Sequence, residues 1–383
     1  MSPRGQPPYD LLVAFLTMQN LLNSVQGFDR CRMAVIGDLM LDEYLWGHIE
    51  RISPEAPVPI LNVERRDSTL GGAGNVVENL RVLGVQVEAF GVTGCDETGE
   101  NLRAMLAAHG AGVRGVIPDP GRKSTRKVRM MSLEHGQQVF RLDEESSFEL
   151  GQEIEDKLVD MIREALGSIQ VILFSDYLKG VLTERLMKLV FASAREREIP
   201  CIVAPKDSKS EKYRGATLLV PNVRELAQLM GTRVNGDDWL NDSAVRLIDK
   251  LNLQALVVTR GSEGMSLFER QEGAVCRVDI ATTARSVYDV TGAGDTAIAV
   301  LGACLASGSS LETAVRLANL AAGIKVGKRG TACVSAKELM DAISQHVPDQ
   351  LRPSSDPRGS TLTPDKDFRA QSAPFGAEHL PKV

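Results

Sequence analysis

The stretch "YDVTGAGDTAIAVLGACLA", residues 288–306, places Gly292 and Gly294 on either side of Ala293 and runs them into Asp295. The residues after it are small or apolar, as in a helix buried on all sides. Flexible residues and a carboxylate at the mouth of such a helix admit two readings. The glycines could simply make a turn, with the acid offsetting the helix dipole. Alternatively, they aim backbone N–H groups at an anion while the carboxylate beside them takes a proton. The surrounding chain decides between the two.

Outward from this segment, strands and helices alternate. "RMAVIG" (32–37) reads as a buried first strand, and helical periodicity runs from Ala73 to a C-cap at Gly84. Strands are expected near 86–90, 113–117, 171–174, 201–204, 217–220 and 255–259. The helices expected between them span 97–109, 151–167, 183–196, 223–231 and 242–251. A hairpin follows, then two long helices between 293 and 326. Crossovers of this length predict an α/β fold with a mainly parallel sheet covered on both faces. Two polar, β-rich inserts, near 39–70 and 118–143, read as a small second β layer, the first of them broken by prolines. A helix is expected within the N-terminal extension (1–30), and residues 348–383 have the composition of a disordered tail.

The 383 residues carry a formal charge of −6, with basic and acidic residues interspersed, which excludes a global field for nucleic acid. The basic run "GRKSTRKVR" (121–129) lacks interleaved aromatics and reads as a solvated strand face or a site for a small phosphate. No segment has the length of a membrane span, and "LLVAFL" is too short and wrongly flanked for a signal peptide. The six cysteines form no CxxC pair, as expected of reduced thiols in a soluble cytoplasmic protein. The five histidines are scattered, so zinc is not expected. Neither GxSxG nor GxxxxGK[ST] occurs.

Several further stretches carry chemistry. "GDLMLDEY" sets Asp38 and Asp42 just past the first strand, where both could hold polyol hydroxyls. "TLGGAGNVVENL" places Gly71, Gly72 and Asn75 at a helix start. "LVPNVREL" offers Asn222, Val223, Arg224 and Glu225; its spacing is that of a capping box, or Glu225 reaches Mg²⁺ through water. Lys179 and Lys206 follow strand ends, positions suited to phosphate.

In their order along the chain, these motifs resemble the ribokinase-like (PfkB) carbohydrate kinases from about residue 30 to 345. More narrowly, "VIGDLMLDEYLWGHIERISPEAPVPILNVE", "GGAGNVVENL", "KYRGATLLVPN" and "ANLAAGIKVGKRGT" resemble the bacterial D-glycero-β-D-manno-heptose-7-phosphate kinase family. The resemblance implies a ribokinase-like domain over 31–347 whose β inserts form a lid. The implied reaction is ATP-dependent phosphorylation of the anomeric hydroxyl of heptose 7-phosphate, in ADP-heptose formation for lipopolysaccharide. Asp295 would be the base, and the amides of Gly292, Ala293 and Gly294 an anion hole. Asn222–Glu225, Thr259, Gly261 and Asn319 would line the nucleotide. Asp38, Asp42, Gly71, Gly72 and Asn75 would hold the sugar, with Lys127, Arg129, Arg141, Lys179 and Lys206 toward phosphate or lid contacts. ATP, Mg²⁺ and a monovalent cation such as K⁺ are the implied cofactors, and a homodimer through the lid the implied assembly, with no nucleic-acid or membrane partner.

The chain departs from the family where DPKG is replaced by "APKD", which changes the surroundings of Lys206. No HxGH nucleotidyl-transfer motif occurs in the 383 residues, so the expected product is the bisphosphate. Another PfkB sugar kinase and a non-catalytic sugar-binding regulator are the rival readings; an intact GAGD disfavours the second.

Overall fold

The computed structural model describes residues 8–284, 287–328, 330 and 332–345, and the tail expected over 348–383 lies outside them. The chain begins with α1 (Pro8–Gln26), β1 (Arg32–Gly37), β2 (Leu39–Ile52), β3 (Pro59–Gly72) and α2 (Ala73–Val82). It continues through β4 (Gln86–Gly94), α3 (Glu97–Ala108), β5 (Gly112–Asp119), β6 (Thr125–Ser132), β7 (Gln138–Glu144) and α4 (Gln152–Ala165). Then come β8 (Val171–Ser175), α5 (Glu184–Arg195), β9 (Cys201–Ala204), β10 (Leu218–Leu219), α6 (Val223–Met230) and α7 (Gly236–Leu251). The last elements are β11 (Ala255–Thr259), β12 (Met265–Gln271), β13 (Ala274–Ile280), α8 (Ala293–Ala306), α9 (Leu311–Val326) and α10 (Ala336–Gln345).

Within the described residues the strands form two sheets. The larger has nine strands in the order β13-β12-β11-β10-β9-β8-β1-β4-β5, parallel except for the β11–β12–β13 meander. Its first strand shows why the sequence there is apolar without alternation. Met33 and Val35 enter the core under α2, α8 and α9, while Ala34 and Ile36 enter a second core under α4, α5 and α7. Successive side chains of a strand point to opposite faces, so a strand covered on both must be apolar throughout. Asp96 and Thr183 cap α3 and α5 by accepting from the backbone N–H groups of Gly99 and Leu186.

The two β-rich inserts meet in one four-stranded sheet, β3-β2-β6-β7, as their composition suggested. Its strands are longer than expected. Pro54 and Pro57 sit in the connection between β2 and β3 and Pro59 begins β3, so the prolines leave the antiparallel pairing of two 14-residue strands intact. Two other boundaries differ: α7 starts at Gly236, before the expected 242, and β10 is only two residues long.

Cys31, Cys95, Cys201, Cys276 and Cys304 are free thiols. Among the described residues no helix is long and apolar enough to cross a membrane.

Candidate active site

The parallel strands end where the two sheets approach each other, and α8 begins there. Gly292, its N-cap, has φ 75°, a left-handed conformation that costs glycine little and other residues more. The turn before it is tied to the last turn of α9: the N–H groups of Tyr288 and Asp289 both donate to the Val326 carbonyl. Asp289 in turn accepts from the N–H groups of Thr291 and Gly330. Ala293 spends its own N–H on the Val290 carbonyl at 3.3 Å. That removes one of the three amides expected in an anion hole, and leaves those of Gly292 and Gly294.

Asp295, in the first turn of α8, is held on both oxygens. Asn75 Nδ2 donates to Oδ2 at 2.6 Å, and the Tyr177 hydroxyl donates to Oδ1 at 2.9 Å. A second tier fixes the amide that faces the acid. Asn79, one turn after Asn75 on α2, donates to the Asn75 backbone and side-chain oxygens and accepts from Thr296 Oγ1. Asn75 must therefore present its NH₂ to Asp295. Burial pushes the Asp295 carboxyl above its ordinary pKa, with the two hydrogen bonds and Lys206 opposing. Loss of water thus outweighs the contacts that favour the ionised form. Burial and the facing Asp295 charge push the Tyr177 phenol well above its usual range, so it keeps its proton and donates.

Two clefts meet at this turn, sharing Thr259 and Gly294. The first, about 230 Å³, is lined by Tyr177, Lys206, Asn222, Glu225, Gly292 and Asp295 among others. The second, about 400 Å³, is mostly apolar, with Met265, Val290, Ala297 and Val326 on its walls and Gly261 and Asn319 among its lining residues. Asn319 is buried and donates to the Ala281 carbonyl at 2.7 Å.

The capping box on "NVRE" forms in full: Asn222 accepts from the Glu225 N–H, and Glu225 Oε2 from the Asn222 N–H. The other Glu225 oxygen pairs with Lys206. Both oxygens are engaged, so direct metal ligation by Glu225 is not prepared. Arg224 is exposed and Val223 packs on the core beneath α6; neither is among the lining residues of these two clefts, contrary to the expectation for that segment.

On the other side, Asp38 and Asp42 do not converge. Asp38 is buried, and its carboxylate accepts the backbone N–H groups of Tyr177, Lys179 and Val181. It is spent holding the loop after β8, which excludes it from a sugar site. Asp42 remains near Asp295 and pairs with Arg129 at 2.6 Å. Gly71 and Gly72 pair with Met40 and Leu39 of β2, and a Cβ on Gly71 would lie 2.6 Å from the Asp42 carboxylate. The absent side chain of Gly71 makes room for Asp42, and that of Gly72 for the Asp38 carbonyl and the Met40 side chain.

The basic candidates are all matched. Lys127 bridges Asp143 and Glu145, Lys179 reaches Glu145, and Arg141 pairs with Asp143. The run 121–129 is thus a ladder of ion pairs, with Arg122 buried against the carbonyls of Phe148 and Lys179. At the departure from the family pattern, Asp207 pairs with Lys212, which also bonds Asp176.

Tyr177 and Asn79 were missed. Asn79 had a signal, a second asparagine four residues after Asn75 on an otherwise apolar helix face. Tyr177 had only its place just past a strand end.

The chain matches the family described as pfkB family carbohydrate kinase over residues 32–337. It is 49% identical over 318 residues to the "Bifunctional protein HldE" of Geotalea uraniireducens, an alignment covering 83% of this chain and 64% of the relative. The chain therefore spans under two thirds of that relative's length. Among solved structures, Arabidopsis thaliana ribokinase complexed with ribose and ATP aligns with TM-score 0.64 at 19% identity, covering 82% of this chain and 98% of that one. Escherichia coli phosphofructokinase-2 in complex with potassium aligns with TM-score 0.69 at 20% identity, with the same coverage. These two likenesses show a ribokinase-like fold.

Proposed function

The chain belongs to the pfkB family of carbohydrate kinases, and from that premise we propose that it phosphorylates O1 of D-glycero-β-D-manno-heptose 7-phosphate to the 1,7-bisphosphate. The observation that carries the chemistry is the placement of Asp295, held by Asn75 and Tyr177, where the two clefts meet. The choice of sugar rests on the long heptose-kinase-like runs and on the 49% identical relative.

In this reading the adenosine of ATP occupies the apolar cleft beside Asn319, and its phosphates cross the turn at Gly294 toward Asn222 and Lys206. The sugar lies between Asp295 and Asp42. Its anomeric O–H gives its proton to Asp295 as O1 bonds the γ-phosphorus. The bond from that phosphorus to the β,γ-bridging oxygen breaks, and ADP leaves with the electron pair. The Gly292 and Gly294 amides take up charge on the transferred group. No cluster of three or more His, Cys, Asp or Glu side chains gathers as a metal cage among the described residues. That suits Mg²⁺, which keeps several waters and is held largely by substrate phosphates; it would neutralise phosphate charge, with Glu225 reaching it through water. The 7-phosphate would exchange with the carboxylates now paired to Lys127, Lys179 and Arg141. Strand β7, exposed along its whole length, offers a surface through which two copies could pair. A cytoplasmic location fits the use of ATP.

Mass spectrometry after incubation with ATP, Mg²⁺ and a panel of sugars and sugar phosphates tests the substrate. One added phosphoryl group on heptose 7-phosphate, and none on the dephosphorylated heptose, is expected. Preference for a hexose or pentose would overturn the choice of sugar.

The phenol of Tyr177 has its own expected outcome. Tyr177→Phe removes a hydrogen bond that favours ionised Asp295, so the carboxyl rises further. The acid limb of the pH–kcat profile should move to higher pH, and kcat at neutral pH should fall about 10-fold. An unmoved acid limb would show that the phenol does not act through Asp295.

A further inference from the structure

Lys325, in the last turn of α9, is among the largest fully buried side chains, at 1% exposure. A buried ammonium is costly unless it is matched by hydrogen bonds or opposite charge. Its Nζ donates to the Gly330 carbonyl. The groups that bear on its charge are Asp289, the Cys333 thiol and Asp295, with Lys328 opposing. Asp289 is the residue whose carboxylate collects the Thr291 and Gly330 N–H groups. The Lys325 chain also passes directly beneath the turn: a Cβ on Gly292 would lie 3.5 Å from Lys325 Cε. One positive charge, one carboxylate and one loop carbonyl therefore meet under the amides that open α8. The C-terminal end of α9, where its free carbonyls point, adds further negative potential there.

A potassium ion would seek the same surroundings: a carboxylate and carbonyl oxygens, away from bulk water. Here those oxygens already face an ammonium of the chain itself. We propose that Lys325 is a positioning residue that supplies in place the single charge a bound monovalent metal ion would otherwise bring, so that the kinase needs no such ion. The charge draws Asp289 and the Gly330 loop together and so sets the Gly292–Asp295 turn. It touches neither the sugar nor ATP. The inference rests on the reading of that turn as the phosphoryl-transfer site, while the identity of the sugar does not enter it.

The test compares salts of equal ionic strength. Wild-type turnover in potassium, sodium and choline chloride should agree within about twofold, because screening is equal and no ion is bound specifically. Lys325→Met keeps the bulk and removes the charge. In choline chloride its kcat should fall about 10- to 100-fold, the scale of a small displacement of catalytic groups. Potassium or ammonium, but not choline, should restore part of the loss. The same ions should raise the variant's melting temperature and leave the wild type's unchanged, a readout independent of activity.

Three results would overturn the proposal. One is wild-type turnover that is low in choline and strongly stimulated by potassium. Another is a Met variant as active as the wild type in choline. The third is a folded Met variant whose loss no small cation repairs. If the variant does not fold, the wild-type salt comparison decides alone. Failure of the underlying reading is distinguishable, since it would show as no phosphoryl transfer by the wild type in any salt.

Discussion

Asp295→Asn lowers kcat by about 10²–10⁴ while ATP and sugar still bind, the expected cost of losing a general base. Asparagine fills the same space and can still accept from Tyr177, so the helix start survives. If the carboxylate served only to offset the dipole of α8, the substitution would cost about 0.3–1 kcal/mol of stability and leave turnover almost intact. The position of Asp295 favours the first outcome. It stands where two clefts meet, both its oxygens are oriented by donors on other elements, and burial raises its proton affinity. Single-turnover kinetics with saturating ATP separates the cases. An Asn variant within a few-fold of wild type would remove Asp295 from the chemistry.

The second large effect is on stability. Asp38→Ala strands three backbone N–H groups, those of Tyr177, Lys179 and Val181, which now donate to one buried carboxylate at 2.7, 3.1 and 3.2 Å. Buried donors left without acceptors are expensive, and the expected loss is about 3 kcal/mol in urea unfolding. Turnover should fall with it, because the freed loop carries Tyr177. A residue that merely held sugar hydroxyls would behave differently: the KM for sugar would rise and unfolding would be unchanged. An unfolding free energy within about 0.5 kcal/mol of wild type, the range of an ordinary surface substitution, would overturn the structural assignment.

The contrast between these two aspartates shows what was legible before the structure. Patterning that depends on near neighbours could be read directly: the uninterrupted apolar run of β1, the glycine turn into α8, and the asparagine and glutamate of the capping box. Asp38 looked like Asp42, four positions later beside the same strand end. What separates them is the loop at 177–181, some 140 residues away, whose amides claim one and not the other. No local spacing encodes that. Lys325 was hidden for a similar reason. On a helix of small and apolar residues it breaks the pattern, yet only the return of the chain at Asp289 and Gly330 shows what its charge meets. Tyr177 was passed over beside the more conspicuous Lys179. The prolines near 54–59 look like strand breakers, but their effect depends on whether they fall in the ladder or at its tip.

The ion-pair ladder on β6 and β7 bears on how the site treats the anions around it. Lys127, Arg129, Arg141 and Lys179 each have an acidic partner already in place. On the proposed reading, the approach to the sugar is close to electrically quiet at rest. Inorganic phosphate or a stray nucleotide gains little by arriving, because it must first evict a carboxylate that is tethered and therefore always present. A phosphorylated sugar brings hydroxyl contacts as well as charge, and only the sum repays the exchange. Selectivity then resides in the combination of groups a ligand carries, and capture should depend only weakly on ionic strength, as between partners that meet without long-range attraction.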